Sequence, residues 1–428
     1  MSIAETSFRA AATKPSQAVY TAIQDADYAT HGAPFDPLLI KFAAVSDFAN
    51  GWASKDWTRK GAGAMRFYQY PGPGSAEDNF RPLGDFALAG LADASRVPVT
   101  LVAPLPSRED KLAHPVRFDR ILSDSGSGNA NDVDYFWPVA PPGFQALGIC
   151  VGFNGASPNT DNYWCVSNDI LQDVPERGYW SDAGTGWKAN GSLNVADLTN
   201  VTSQDNLMLA PTTFLSVQQG GARARCLVLD KLLLPGAHFA APEPVYDGQT
   251  SQGDETAPGL ASVAVVPCNV VADSSSASGP KSSPFYYLAS EPYWHCTRGL
   301  SSPEGGSYKE SVTVGTSSQK SQGFQNTTSL TVGAEVGVEA DVFSASMSVS
   351  YTQEMQVSVA TSDEHSTEVN RTVELNLPKA RRVFIWQART NIVAYRTQGS
   401  RDKGPTVLSI APFAKDDATF VYSGAKEG

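Results

Sequence analysis

Five histidines and five cysteines are the side chains in this chain best able to hold a metal or attack a substrate. His31, His114, His238, His295 and His365 are scattered, with none of the His-Glu-x-x-His spacing that sets two imidazoles on one helix face. Cys150, Cys165, Cys226, Cys268 and Cys296 show no Cys-x-x-Cys pair, and an odd number cannot all pair within one chain. Reduced, buried thiols are expected. His295 and Cys296 are neighbours and on a strand point to opposite faces, so they are not expected to share a metal. The chain has no Gly-x-Ser-x-Gly elbow, P-loop or dinucleotide fingerprint. The expectation is therefore no enzyme, no cofactor and no metal. Two weaker patterns remain. Ser-Asp-x-Gly at Asp124 and Asp182, with exposed aromatics such as Tyr163 or Tyr179, offers groups that hydrogen-bond and stack on a glycan or receptor. The same acids can instead bond their own turns. Glu335, Glu339, Asp341 and Glu354 alternate with apolar residues, which makes a row of carboxylates along extended chain.

Long strands must position that row. From Leu330, the residues Val332, Ala334, Val336, Val338, Ala340 and Val342 share one face. The parity then changes. Phe343, Ala345, Met347, Val349, Tyr351, Met355 and Val357 share a face, with Gln353 as the one interruption. A reversal at Val342–Phe343 keeps both apolar rows on one side. This is an amphipathic β-hairpin with an apolar tip, and each arm exceeds the about 9–11 residues that a tilted strand needs to cross a bilayer. One hairpin alone leaves unpaired backbone in lipid, whereas several closing into a barrel do not. An ordinary long sandwich hairpin is the alternative. The flanks are also unusual: from Ser311 to Asn370 one residue in three is Ser or Thr, with Lys320 the only Lys and no Arg. Alternation resumes at Val312 and Val314, and again at Val369, Val373, Leu375 and Leu377.

The first half repeats itself. "WTRKGAG", "LSDSGSG" and "WSDAGTG" place Gly61, Gly126 and Gly184 after equivalent apolar residues Trp57, Leu122 and Trp180. A second apolar block follows each at near-constant distance, around Leu83, Leu147 and Leu207, and a third at Leu101, Cys165 and Cys226. Three landmarks in register over three copies predict short strands joined by Gly and Pro turns, with sheets enclosing one core. Residues 241–259 and 272–284 read as linker-like, with one buried strand between them.

In the second copy, Ser123, Asp124, Gly126, Gly128, Asp132, Val133, Trp137, Pro138, Pro141, Pro142, Gly143, Leu147 and Gly148 resemble the hallmark of a family named for vacuolar protein sorting. Phe144 stands where that family has Tyr. Beyond residue 285, "FYYLASEPYWHC", the long Ser/Thr-rich strands, the amphipathic hairpin and "RRVFIWQARTNIVAYRT" resemble the aerolysin and epsilon-toxin class of β-pore-forming toxins.

Composition agrees with an all-β chain. Of 428 residues, 41% are hydrophobic and only 18% charged, with 36 Gly and 28 Pro, which favours many turns. The expected fold is an N-terminal pseudo-threefold β-prism-like domain over residues 1–240 and a connecting segment over 241–285. An elongated aerolysin-like β-sheet domain with the insertion hairpin follows over 286–428. A net charge of −12 argues against nucleic acid as a partner. The start lacks the apolar core of a secretory signal, so the chain is expected to be made soluble, released by lysis or another route, and to act outside the cell. The resemblance implies a pore-forming toxin, with insects as targets. Its repeat domain binds a cell-surface receptor, a glycan being one candidate. Copies of the chain form a homo-oligomer on the target-cell membrane. Leu330, Val332, Val336, Val338, Val342, Phe343, Met347, Val349 and Tyr351 then face lipid, and Glu335, Glu339, Asp341 and Glu354 line the channel. The rival expectation is a lectin-like carbohydrate-binding module that never enters a membrane.

Overall fold

A computed structural model of the chain describes residues 15–53, 65–75, 78–89, 94–125, 132–174, 176–181, 194–198, 207–216, 224–230, 232–234, 239–271, 273, 279–302, 304–314, 369–377, 379–400, 404–413 and 420–425. The fold is all-β. Among the described residues α-helix is confined to α1 (Pro15–Ala26) and the single turn α2 (Tyr28–His31). The chain forms two compact units. One comprises Asp27–Leu232 and Pro267–Phe285; the other comprises Met1–Ala26, Leu233–Val266 and Tyr286–Gly428.

The first unit carries the threefold repeat. After the edge strand β1 (Ala33–Phe35), each copy supplies six strands in the same order. The first copy has β2 (Leu38–Ala44), β3 (Ala49–Ala53), β4 (Met65–Gln69), β5 (Arg81–Pro82), β6 (Phe86–Ala89) and β7 (Pro98–Pro104). The second has β8 (Leu112–Ala113), β9 (Arg117–Ser123), β10 (Val133–Val139), β11 (Phe144–Gln145), β12 (Cys150–Phe153) and β13 (Cys165–Ser167). The third has β14 (Leu171–Asp173), β15 (Glu176–Ser181), β16 (Asn194–Leu198), β17 (Leu207–Leu209), β18 (Leu215–Ser216) and β19 (Arg225–Leu229). In every copy the second, third and fifth strands form one sheet, as β3-β4-β6, β9-β10-β12 and β15-β16-β18. The first, sixth and fourth form another, as β2-β7-β5, β8-β13-β11 and β14-β19-β17. Each repeat therefore gives two small sheets.

The copies meet at equivalent residues. A Cβ on Gly84 would lie 2.7 Å from the Cα of Gly148, and one on Gly148 would lie 2.5 Å from the Cβ of Thr213. These three positions precede the fifth strand of each copy; glycine at the first lets its backbone touch that of the second copy, and glycine at the second makes room for the Thr213 side chain of the third. The next residues are linked in turn: Asp85 N–H donates to the carbonyl of Ile149 (2.8 Å) and Ile149 N–H to that of Phe214 (2.9 Å). The second landmark of the third copy thus falls at Thr212–Phe214. Leu207 lies one strand earlier, on β17. Around this junction Met65, Phe67, Leu122, Val133, Tyr135, Ile149, Val151 and Phe214 form one core drawn from all three copies. The Phe67 ring lies 5.1 Å from Tyr135 at 82° and 5.4 Å from Phe214. Truncating such a residue to Ala costs about 3–5 kcal/mol.

The second unit is a sheet in the order β20-β21-β22-β25-β26, with β27 also pairing β25. Its strands are β20 (Leu232–Leu233), β21 (Ser262–Pro267), β22 (Phe285–Ser302), β25 (Ala380–Ser400), β26 (Gly404–Phe413) and β27 (Phe420–Ala425). A two-stranded ribbon, β23 (Gly306–Val314) and β24 (Val369–Leu377), lies between β22 and β25 in the chain. With 18 and 21 residues, β22 and β25 are several times the usual strand of about 5–6. The first stretch of β22 is buried almost continuously rather than alternately, as in a strand covered on both faces. Helix α1 packs on β25 and β26 and buries Val19 and Ile23, one turn apart.

Candidate functional site

The ribbon β23–β24 is the base from which residues 315–368 depart. Its register is unbroken from Gly306↔Leu377 to Val314↔Val369. Alternation gives it a dry face and a wet face. Val312, Leu375 and Leu377 are buried, and Leu375 and Leu377 pack with Val373 and Tyr308 against Leu300, Val383 and Ile385 of the sheet. On the wet face Thr313 Oγ1 bonds Asn370 Oδ1 (2.9 Å) and Ser307 donates to Glu374.

Two polar contacts clasp the ribbon to the sheet. Glu310 sits on the dry face with only 5% of its surface exposed. Its Oε2 is 3.6 Å from Nη1 of Arg298 on β22 and has no hydrogen-bond partner. The Arg298 guanidinium also lies 5.9 Å from the Tyr308 ring centroid. Fully buried Gln387 on β25 donates from Nε2 to the carbonyl of Thr313 (3.1 Å), next to the ribbon's end. Sequence reading missed all three residues. A lone Glu breaking an apolar row, beside Val312, was the available signal.

The sequence-predicted residues are placed as follows. The hairpin row Leu330, Val332, Val336, Val338, Val342, Phe343, Met347, Val349 and Tyr351 lies outside the described residues, as do Glu335, Glu339, Asp341, Glu354 and Asp182. Tyr179 lies on β15. The expected exposure of Tyr163 is corrected: it is 1% exposed, and its hydroxyl donates to Asp85 Oδ1 (2.9 Å), so its ring faces the interior. Asp124 is fully buried, and its Oδ1 accepts the Val133 N–H at 2.5 Å. It closes the β9–β10 hairpin, so its acid serves the turn.

Asp85 is the most unusual charge of the repeat unit. It is fully buried and accepts from Tyr70 N–H (2.8 Å), Val151 N–H (2.7 Å) and Tyr163, which ties the first copy to the second. Loss of water pushes its carboxyl up to about 7, against the pull of those three donors. Glu291 on β22 is likewise pushed up to about 7 by burial, opposed by the hydrogen bond from Tyr395. All five cysteines are buried, and none is in a disulfide. Burial lifts the thiols of Cys150, Cys165, Cys268 and Cys296 above their usual range. Among the described residues no group of three His, Cys, Asp or Glu side chains is arranged to hold a metal.

Two family models match parts of the chain. Residues 24–203 match vacuolar protein sorting-associated protein 62. Residues 261–398 match insecticidal crystal toxin P42. The second match spans β22, the ribbon and most of β25. The first spans the copy whose motif resembles the vacuolar-protein-sorting family. No curated protein matches the chain. Solved structures with some likeness include GNIP1Aa from Chromobacterium piscinae, 18% identical with a TM-score of 0.34, over 44% of this chain and 37% of that one. Another is Cry35Ab1, 12% identical with a TM-score of 0.31, over 73% and 89%. The chain thus spans little more than a third of the length of GNIP1Aa.

Proposed function

We propose that this chain is an insecticidal β-pore-forming toxin, acting outside the producing cell and without covalent chemistry. The observation that carries the proposal is the pairing of Val314 with Val369. It makes residues 315–368 leave and return at one place. The midpoint of that segment falls between Asp341 and Val342, beside the parity change at Val342–Phe343. The match of residues 261–398 to an insecticidal crystal toxin supports the same reading.

In this mechanism the repeat unit recognises a receptor on the target-cell surface, and bound copies gather into a ring. The ribbon then lifts from the sheet. Breaking the Arg298–Glu310 pair and the Gln387–Thr313 bond frees its dry face. Hairpins from several chains zip into one barrel, because only a closed sheet satisfies its backbone in lipid. Val336, Val338, Met347 and Val349 meet the lipid. Glu335, Glu339, Asp341 and Glu354 line the lumen and favour cations. Dye release from liposomes of target-membrane lipid tests this. The intact chain empties them and forms SDS-resistant oligomers, whereas Phe343→Asp, with its charged tip, does not. Full binding to target membranes without leakage supports the lectin-like reading instead.

A further inference from the structure

On the face of the sheet opposite the ribbon lies a cleft of about 830 Å³. One wall is the segment from Tyr246 to Gln252, and the other is Gly299–Ser301 of β22 with Arg382 and Phe384 of β25. Residues 241–259 have a linker-like sequence. In the fold the segment is fixed. Gly253 N–H donates to the carbonyl of Cys296, and Cys296 N–H to that of Asp254, each at 2.8 Å. Asp254 accepts from Ser251 N–H (2.7 Å), and Asp247 from Gln249 N–H (2.9 Å). Both acids are thus engaged by the segment's own backbone.

The floor is built by a glycine. Gly299 pairs with Phe384 across the sheet, and a Cβ there would lie 2.6 Å from the Phe384 ring. Its absence lets that ring lie over β22, where it stacks on half-buried Tyr246 at 5.4 Å and 19°. The walls carry Thr250, Ser251, Gln252 and Ser301; the hydroxyls of Thr250 and Ser251 donate to Asp247 and to the carbonyl of Gln249, which leaves their oxygens to accept from a ligand. Arg382 is the cation of the cleft, exposed, 5.9 Å from the Phe384 ring centroid, and ion-paired with no described carboxylate.

We infer that this cleft binds an acidic saccharide. The half-buried Tyr246 ring, backed by buried Phe384, packs the C–H face of a pyranose, hydroxyl and amide walls match its ring hydroxyls, and a guanidinium with no ion-pair partner among the described residues forks onto a carboxylate or sulfate. The volume lies within the about 300–1,000 Å³ of small-ligand sites. The inference stands apart from pore formation, because binding is read without a membrane.

Calorimetric titration of the full chain tests it with three probes: N-acetylneuraminic acid, a sulfated heparin disaccharide, and neutral N-acetylglucosamine. At least one acidic sugar binds ten-fold or more tighter than the neutral one, and which of them binds identifies carboxylate or sulfate as the recognised group. Arg382→Gln abolishes that preference, and Arg382→Lys keeps part of it. Gly299→Val, which drives the Phe384 ring from beneath Tyr246, weakens binding of all three sugars. An unchanged melting temperature certifies that Arg382→Gln is folded. No binding at millimolar sugar, equal binding of acidic and neutral sugars, or a preference that survives Arg382→Gln overturns the inference.

Discussion

Arg298→Gln isolates the clasp that holds the ribbon. The Arg298 side chain is 53% exposed and that of Glu310 only 6%, at 3.6 Å separation. Exposed ion pairs contribute about 0.2–1 kcal/mol. Removing one partner of a fully buried pair costs about 3–5 kcal/mol, because the other charge is stranded. A pair buried on one side falls between, at about 1–2 kcal/mol. That corresponds to roughly a 5- to 30-fold rise in local opening. Native-state hydrogen exchange reads it directly. The amides of Tyr308, Glu310, Val312, Val373 and Leu375 exchange faster by that factor, while those of the paired β22–β25 core do not. Glu310→Gln removes the stranded charge, so the double variant recovers part of the loss, with a coupling of about 1 kcal/mol. Liposome leakage accelerates in the same order as ribbon opening. Unchanged ribbon exchange in Arg298→Gln, or an increase spread evenly over both units, refutes the clasp.

Two further outcomes concern the repeat unit. The folded chain holds a proton on Asp85 up to about pH 7, while the unfolded chain releases it near 3.8. Between those values the folded state binds more protons, so stability is greatest on the acid side and falls by about 4 kcal/mol as pH rises through 7. Denaturant titrations from pH 4 to 8 show that slope, and Asp85→Asn removes its share and leaves that of Glu291; a slope unaltered by the substitution contradicts the assignment. Gly84→Ala sets a methyl 2.7 Å from backbone of the second copy at a φ of +157°. It lowers the melting temperature of the repeat unit by several degrees, whereas Gly143→Ala, whose Cβ meets open space at a φ of +88°, has the smaller effect.

The repeat was legible because each copy keeps its apolar blocks, and those blocks are strands. The third copy misled at Leu207 because Leu-Met-Leu is apolar, while the true counterpart of Leu83-Gly84 is Thr212-Thr213, which keeps neither residue type. Six strands per copy were not legible either, since pairs as short as Arg81–Pro82 carry no period. Tyr163 looked like a surface aromatic. Nothing local in the sequence reveals that Asp85, 78 residues away, takes its hydroxyl inside. The long alternating arms were read down to Val314 and Val369, and these pair as that pattern requires. The clasp was hidden because Arg298 faces Glu310 only after the register shift between Cys296 and Arg298 in β22. Helix α1 carries one legible signal, the one-turn spacing of Val19 and Ile23 on its buried face.

The central claim is that the stretch around Phe343 exchanges water for lipid when the chains assemble. An environment-sensitive dye on a cysteine placed at Val336 or Val349, followed as the chain meets target-lipid liposomes, measures that exchange. The buried native thiols stay unlabelled in the folded chain. The account predicts blue-shifted emission at both sites, quenched by lipid-borne quencher, with none at Ser348 on the opposite row. Emission at Val336 and Val349 that remains watery while the liposomes empty contradicts it.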